Sequence, residues 1–208
     1  MVILEMGWKV IQDPSGEPQF NMERDEELAR QVRSGQAAAT LRIYGWTCPA
    51  ISLGHRQLLD DLPASLLTGE ISVVRRPTGG GAVLHRTDEV TYALALPQPT
   101  PGTRYAVPPR DLPGAFHHSL RHLLIREVGL SSEELTIAGP GFCGPFSLCF
   151  DAPVCGDLLY RGKKVAGSAL RVWRDGLLLQ GSLQGLPMEC RSLLADAHPN
   201  DLTCLKKS

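Results

Sequence analysis

The sequence predicts a single α+β domain with a mainly antiparallel mixed sheet flanked by helices. Its 208 residues are 43% hydrophobic, which is enough to bury a core without disulfide or metal support. Helical patterns are few, and predicted strands often follow one another directly along the chain. A doubly wound parallel sheet would instead alternate strands with helices, so the α+β class fits better.

The first predicted element is a helix from Asn21 to about Arg33. Asn21 is expected to cap it, acidic residues are expected to crowd its first turn, and Met22, Ala29 and Val32 recur on one side. A half-buried strand is then predicted around Leu41, where apolar and polar residues alternate.

Two further strands, 71–76 and 90–96, have the β-branched and aromatic content typical of strands and flank a glycine run. A proline-rich connection leads to a second helix, which Asp111 is expected to cap. Residues 137–151 lack any periodicity and are predicted to form an ordered loop.

The last part of the chain is predicted to form a three-stranded meander. Its strands are DLLYR, KKVAGSALRVW and LLLQGSL, with turns at Arg161–Gly162 and at 174–176 between them. A final helix is expected over 188–195.

Charge and composition exclude several classes of protein. The 21 basic and 22 acidic residues nearly cancel, so we expect no nucleic-acid partner. Neither a signal peptide nor a run of roughly 20 apolar residues is recognisable, which predicts a cytoplasmic protein with no membrane association. The six cysteines include no CxxC pair, so no metal site is expected.

The most specific motif is RRPTGGGAVLH, residues 75–85, between two predicted strands. Three consecutive glycines let the backbone turn freely and let a ligand approach main-chain N–H groups. A hairpin turn would need neither the two preceding arginines nor the following His85. We therefore predict a ligand-binding loop, in which Arg75 and Arg76 can pair a phosphate or carboxylate.

The motif GKKVAGSA contains an internal lysine pair. Adjacent strand residues point to opposite faces, so one lysine is directed at the covered side of the sheet. On the face of Lys164, the small residues Ala166 and Ser168 are expected to leave a slot beside the ammonium. Lys164 could hold a phosphate or carbonyl oxygen or shuttle a proton, although an exposed lysine beside a turn is an equal alternative.

Cys149, in PFSLCFDAP, is a candidate nucleophile. A cysteine between Leu148 and Phe150 is more often an inert packing residue. Activation would require a neighbouring cation or base, for which Lys164 and His85 are the candidates.

Four blocks in order resemble the superfamily of lipoate-protein ligase A, LipB and biotin-protein ligases, in the branch of lipoate-protein ligases and LipM-type octanoyltransferases. The blocks are FNMERDEEL (20–28), LRIYGWTCPAISLGHRQ (41–57), RRPTGGGAVLHRTDEVTYAL (75–94) and CFDAPVCGDLLYRGKKVAGSALRVWRDGLLLQGSL (149–183). The resemblance spans about residues 8–183 and implies a biotin/lipoate ligase catalytic-domain-like fold. It also implies one catalytic domain over 1–208 without the accessory domain of many lipoate ligases.

The resemblance assigns roles residue by residue. Lys164 aligns with the family's active-site lysine and Cys149 with the LipM nucleophile, which accepts octanoate as a thioester. The loop expected to enclose the acyl group comprises Arg75, Arg76, Thr78, Gly79, Gly80, Gly81 and His85, and Ser168 is expected to contact the substrate. The family's usual SAQ reads Ser168, Ala169, Leu170 here, and its usual HGS reads Gln180, Gly181, Ser182.

The resemblance implies an enzyme that moves an octanoyl or lipoyl group to a lysine of a lipoyl-domain carrier protein. The leading hypothesis is octanoyl transfer from acyl carrier protein through a Cys149 thioester, which needs no cofactor. The first alternative is a lipoate-protein ligase that uses ATP and Mg. The second is a module that binds lipoyl domains without turnover.

Overall fold

The computed structural model describes residues 9–66, 69, 71–99, 107–140, 150, 152–186 and 190. The helices are α1 (Pro18–Arg33) and α2 (Leu112–Val128). The strands are β1 (Lys9–Gln12), β2 (Thr40–Tyr44), β3 (Ala50–Leu53), β4 (Ser72–Arg75), β5 (Val83–His85), β6 (Val90–Pro97), β7 (Leu135–Ile137), β8 (Leu158–Tyr160), β9 (Lys163–Trp173) and β10 (Gly176–Leu183).

Seven strands form a large sheet in the order β1-β2-β6-β10-β9-β8-β7. Its neighbouring pairs are antiparallel except β1 and β2, which are parallel. The predicted α+β class with a mainly antiparallel mixed sheet is confirmed, and so is the meander, which is β8-β9-β10.

A second sheet, in the order β4-β3-β5, was not separated from the first by the sequence analysis. The central strand β3 runs parallel to β4 and antiparallel to β5. The glycine run of residues 79–81 therefore connects two strands that both pair with β3 and not with each other. A hairpin turn is excluded for this motif.

The two faces of the large sheet carry different layers. Leu94 and Leu96 of β6 pack into the core cluster that contains the α2 residues Phe116 and Leu120. The alternate residues Ala93 and Ala95 belong to the cluster that contains α1. Since successive strand residues point to opposite faces, α2 covers one face and α1 covers the other.

The beginning of α1 corrects one prediction. The helix starts at Pro18, whose fixed φ suits a first helical position, and its first turn contains no acidic residue. Asn21 is buried inside the helix and donates from Nδ2 to the carbonyls of Gly16 (3.1 Å) and Gly45 (3.0 Å). The prediction that Asn21 caps the helix is thus wrong, because its side-chain amide instead connects the two loops that contain Gly16 and Gly45.

The remaining elements follow the predicted places more closely. Asp111 occupies the N-cap position of α2, as predicted, but its side chain makes no capping hydrogen bond. The predicted loop 137–151 begins at the end of β7, with 141–149 outside the described residues. Of the predicted helix over 188–195, only Cys190 is described. Across the described ranges, neither helix combines the length and the apolar character that a membrane span requires.

Candidate active site

The glycine loop lies close against the backbone of the loop after β3. A Cβ on Gly54 would lie 2.0 Å from the carbonyl oxygen of Gly80, so these two main-chain segments meet only because residue 54 is glycine. Gly80 has a φ of 85°, a conformation that favours glycine. The amide N–H of His55 also donates to the carbonyl of Thr78 at 2.8 Å.

The buried side chain of Arg76 hydrogen-bonds to the main chain of this loop. Its guanidinium donates from Nη1 to the carbonyl and Oγ of Ser52, from Nη2 to the carbonyls of Gly79 and Gly81, and from Nε to the carbonyl of Gly79, at 2.6–3.1 Å. An arginine has five N–H donors, and these contacts use all of them. Arg76 therefore shapes the loop and has no N–H left to offer an anion in this conformation.

Arg75 lies on the outer side of the same loop. Its Nη1 donates to the carbonyls of Gly54, His55 and Gln57. Arg75 is exposed and is not among the residues that line the cavity described below. In this structure both arginines donate to main-chain carbonyls. That they pair with an anionic group of the substrate stays a prediction.

His85 is buried within a polar network. Its Nδ1 lies 2.6 Å from Oε1 of Glu89 and its Nε2 lies 2.7 Å from Oγ of Ser52. The ring of Trp46 stacks on the imidazole with centroids 3.9 Å apart. Glu89 also accepts from Ser182 Oγ at 2.7 Å. These contacts fix the ring plane of His85 and join β5 to β10.

Thr78 connects the loop to a buried charge pair. Its Oγ1 donates to Gln180 Oε1 at 2.8 Å, and Gln180 Nε2 donates to Asp25 of α1 at 2.7 Å. Asp25 also pairs with Arg42 at 2.7 Å and accepts from the hydroxyl of Tyr44. Burial raises the pKa of the Asp25 carboxyl, and the Arg42 guanidinium opposes that rise. Gln180 is thus the link between the loop and the charged interior.

Lys164 is buried and ion-paired. Its Nζ lies 2.7 Å from Oδ2 of Asp157, and the two side chains are 1% and 4% exposed. The ring of Phe150 lies with its centroid 5.1 Å from the same ammonium. A Cβ on Gly167 would lie 2.5 Å from Cε of Lys164, so this glycine provides the space that the lysine occupies. The alternative of an exposed lysine beside a turn is excluded.

The slot beside Lys164 differs from the predicted one. Leu159 lies opposite Lys164 whereas Leu158 lies opposite Ala166, so β9 carries an extra residue at this point. The bulge changes the alternation, and Ala166 packs into the core that contains α2. The prediction that Ala166 lies beside the Lys164 ammonium is therefore wrong, because Gly167 occupies that position.

Ser168 belongs to a partly buried triangle of polar side chains. Its Oγ lies 2.8 Å from Nε2 of His117 and 2.7 Å from the hydroxyl of Tyr92. That hydroxyl lies 3.0 Å from the same Nε2. A Cβ on Gly181 would lie 2.3 Å from the phenol of Tyr92. Because Gly181 of β10 has no side chain, the Tyr92 ring on β6 can extend over β10 and reach Ser168 on β9.

His117 is the main functional residue that sequence reasoning missed. His117 lies on α2 and is 1% exposed. Its spacing from Leu120 and Leu124 places it on the apolar face of the helix, and this periodicity could have revealed it. Tyr92, within the apolar strand β6, and Asp157, directly before β8, were missed as well.

One cavity brings most of these residues together. It has a volume of about 210 Å³ and opens between the glycine loop, β9 and β10. The predicted residues that line it are Arg76, Gly80, Gly81, His85, Lys164 and Ser168. Thr78 lies beneath it, bound to the lining residue Gln180. Cys149 lies outside the described residues.

Comparison with known proteins gives the family. Residues 17–184, which are most of the chain, match the sequence model of the family described as "lipoyl protein ligase A/B catalytic domain". The chain belongs to this family. Lys164 and the glycine loop both lie inside the matched range of the lipoyl protein ligase A/B catalytic domain.

Individual relatives are similar to this member of the lipoyl protein ligase A/B family. An octanoyltransferase LipM from an Exiguobacterium species is 37% identical over 188 residues, covering 83% of this chain and 63% of the relative. One from Kyrpidia tusciae is 33% identical over 189 residues, covering 85% of this chain and 65% of the relative. The chain thus spans less than two thirds of the length of these curated relatives.

A solved structure supports the fold. A crystal structure of lipoate-protein ligase A bound with ATP is similar with a TM-score of 0.65 at 16% sequence identity. The similarity covers 96% of this chain and 82% of the other. The biotin/lipoate ligase catalytic-domain-like fold predicted from the sequence is confirmed.

Proposed function

We propose that this protein transfers an octanoyl group from an acyl carrier protein to a lysine of a lipoyl-domain protein, through a thioester on Cys149. The observation that carries this proposal is the ammonium of Lys164, buried with Asp157 at the wall of the cavity. The names of the relatives, octanoyltransferase LipM, support the choice of acyl group.

The cavity suits a short acyl chain. Its volume of about 210 Å³ lies below the roughly 300–1,000 Å³ typical of drug-sized ligands. Part of the cavity wall is apolar and consists of Val83, Val154 and Ala169. Another part is the glycine backbone of residues 80–81. A linear acyl chain can lie along these atoms with its carbonyl near Lys164.

The reaction proceeds in two exchanges. The thiolate of Cys149 attacks the donor thioester, a new C–S bond forms, the donor C–S bond breaks, and the carrier leaves as a thiolate. The amine of the acceptor lysine then attacks the enzyme thioester, a C–N bond forms, the C–S bond to Cys149 breaks, and a proton passes from the amine to the released Cys149 sulfur. Each exchange develops negative charge on the acyl oxygen, which the ammonium of Lys164 stabilises.

Lys164 is held in place for this role. Asp157 accepts from the ammonium, and the same oxygen of Asp157 accepts from the amide of Val154 at 2.7 Å. The carboxylate is therefore anchored by its own turn, and the lysine by the carboxylate. Such preorganised charge needs little rearrangement as the reaction proceeds.

ATP-dependent lipoate ligation is the competing reaction. An acyl-adenylate needs hydrogen-bond donors for its phosphate, but all five N–H groups of Arg76 already donate to Ser52, Gly79 and Gly81. Because Arg76 in this conformation offers no N–H group to a phosphate, the thioester route is favoured. Acyl carrier protein as donor, the lipoyl domain as acceptor and the cytoplasmic location are parts of the same proposal.

Intact-mass measurement after mixing the protein with octanoyl acyl carrier protein tests the proposal. We expect the wild type to gain one octanoyl group, Cys149→Ala to gain none, and Cys155→Ala to behave as the wild type. Cys155 is a matched control because it is an exposed cysteine next to the cavity residue Val154. Pyrophosphate release on adding lipoate and ATP, with no adduct from the carrier thioester, would support the ligase instead. Binding of a lipoyl domain with neither reaction would support the non-catalytic module.

A further inference from the structure

Both ring nitrogens of His117 make contacts at hydrogen-bonding distance. Nδ1 lies 2.6 Å from the carbonyl oxygen of Gly156, and Nε2 lies 2.8 Å from Ser168 Oγ and 3.0 Å from the Tyr92 hydroxyl. A carbonyl oxygen can only accept, so Nδ1 carries a proton. Burial lowers the pKa of His117, which favours the neutral ring, and Nε2 then presents a lone pair.

The triangle of His117, Ser168 and Tyr92 contains two hydroxyl protons. If Ser168 donates to Nε2, Tyr92 donates to Ser168. If Tyr92 donates to Nε2, Ser168 donates to the Tyr92 oxygen. In both arrangements the proton of Ser168 stays within the triangle, because the three contacts leave it no better acceptor.

Ser168 therefore presents oxygen lone pairs to the cavity that it lines. Its hydroxyl acts as a hydrogen-bond acceptor there and not as a donor. An acyl carbonyl has no N–H or O–H to offer such an oxygen, whereas an entering amine does. The wall near Lys164 thus combines a cation that suits the acyl oxygen with an acceptor that suits the attacking amine.

The other side of His117 reaches the lysine pair. The carbonyl that accepts from Nδ1 belongs to Gly156, directly before Asp157, the partner of Lys164. This turn packs closely on α2, since a Cβ on Gly156 would lie 3.3 Å from Cα of Gly114. One imidazole therefore ties α2 to both the Asp157 turn and Ser168.

We propose that His117 is a positioning residue for acyl transfer, which holds Ser168 as the hydrogen-bond acceptor that orients the amine of the entering carrier lysine. The inference rests on the proposed function. Protonation of Nε2 would turn the acceptor of the triangle into a donor, so Ser168 could no longer be held by donating its proton to the ring, and transfer should fall in acid as His117 becomes charged.

Other groups around His117 set the conditions for that change. Asp157 favours the charged ring, whereas Lys164 on β9 and His118 on α2 oppose it. Tyr92 of β6 and Ser168 of β9 face it as uncharged hydroxyls. Burial is the largest of these effects, so the acid limb is expected below the ordinary range of histidine, roughly pH 6.5.

Two substitutions separate the two contacts of His117. Asn places its amide near the Nδ1 position and can still donate to Gly156, but it does not reach Ser168. Gln is longer, and its amide oxygen can accept the hydroxyl proton at the Nε2 position. His118→Gln is the matched control, because His118 is the exposed neighbour on the same helix. The experiment uses the full chain with octanoyl acyl carrier protein and a lipoyl domain.

The two half-reactions are measured separately across pH 5–9, together with thermal unfolding. We expect His117→Asn and Ser168→Ala to load octanoate at nearly the wild-type rate and to transfer it to the lipoyl domain about 10- to 100-fold more slowly. His117→Gln should recover part of the transfer rate and should lose the acid limb, because an amide does not titrate. His118→Gln should retain that limb.

Other results would overturn the inference. Ser168→Ala transferring at the wild-type rate would remove the proposed acceptor. Equal losses of loading and transfer in His117→Asn would indicate a purely structural role. If the wild type transfers and these variants match it, only this inference fails. If the wild type does not load from the carrier thioester at all, the proposed function fails and the inference fails with it.

Discussion

Gly167 controls where Lys164 can lie, and replacing it with alanine should slow octanoyl transfer strongly while the protein stays folded. The new Cβ would lie 2.5 Å from Cε and 2.7 Å from Nζ of Lys164, closer than real Cβ contacts. The rigid strand cannot shift as easily as the end of a lysine side chain. The ammonium must therefore move away from its 2.7 Å contact with Asp157.

The expected magnitude follows from that displacement. A shift of about 1 Å at a reacting centre can lower a rate by about 100-fold, so kcat/KM for octanoyl transfer should fall by about that factor. Loss of one charge-assisted hydrogen bond should reduce the free energy of unfolding by about 1–3 kcal/mol, which most domains survive. The assay is steady-state transfer to a lipoyl domain beside urea unfolding of the same preparation.

Gly139→Ala is the control, because a Cβ at Gly139 meets no atom of the described residues within 4 Å. It should change neither the transfer rate nor the stability by a measurable amount. A fully active Gly167→Ala protein, with its fold verified, would contradict this prediction. The position of the Lys164 ammonium would then be unimportant for the reaction.

Three further predictions concern stability. Gly181→Ala should lower the free energy of unfolding by about 1–3 kcal/mol in urea, since its Cβ would lie 2.3 Å from the rigid Tyr92 phenol; an unchanged midpoint would contradict the packing described. Asp25→Asn should cost about 3 kcal/mol in the same assay, because it removes one of the two acidic partners that the described residues give to the buried Arg42, whereas Glu27→Gln, at a partly exposed surface position, should have almost no effect. The folded-state pKa of His117 is lowered, so its contribution to stability is present above about pH 6.5 and is lost as the pH falls toward the folded value; thermal unfolding from pH 5 to 8 should show less acid destabilisation in His117→Gln than in the wild type.

The meander and the central strands could be predicted because their signals are local. Alternating or continuous apolar residues indicate β6, β9 and β10, and short turns with a glycine separate β8, β9 and β10. The small sheet is different, since β3 and β5 are four and three residues long and meet only through long-range pairing. A short strand of this kind has no periodicity of its own.

The candidate site was predictable to the extent that it rests on residue type and family resemblance. Gly80, Lys164 and Ser168 do line one cavity. The neighbours of Lys164 were not predictable, because one extra residue in β9 shifts the alternation and brings Gly167 to its side in place of Ala166.

His117 was missed for a related reason. Its imidazole serves the site from a different element, and a histidine on an apolar helix face is compatible with simple burial. The contacts with Gly156 and Ser168 exist only once α2 packs on β9. Likewise, the five contacts of Arg76 with main-chain and hydroxyl oxygens depend on how the glycine loop folds back, which no pattern of residue types specifies.

The central claim is acyl transfer through an enzyme thioester at the Lys164 cavity. Its most direct test is a single-turnover experiment in which octanoyl-loaded protein, freed of donor, is mixed with a lipoyl domain in the absence of ATP. We expect the octanoyl mass to leave the enzyme and to appear on one lysine of the domain. An octanoyl group that stays on the enzyme, with modification of the domain only when lipoate and ATP are supplied, would contradict it.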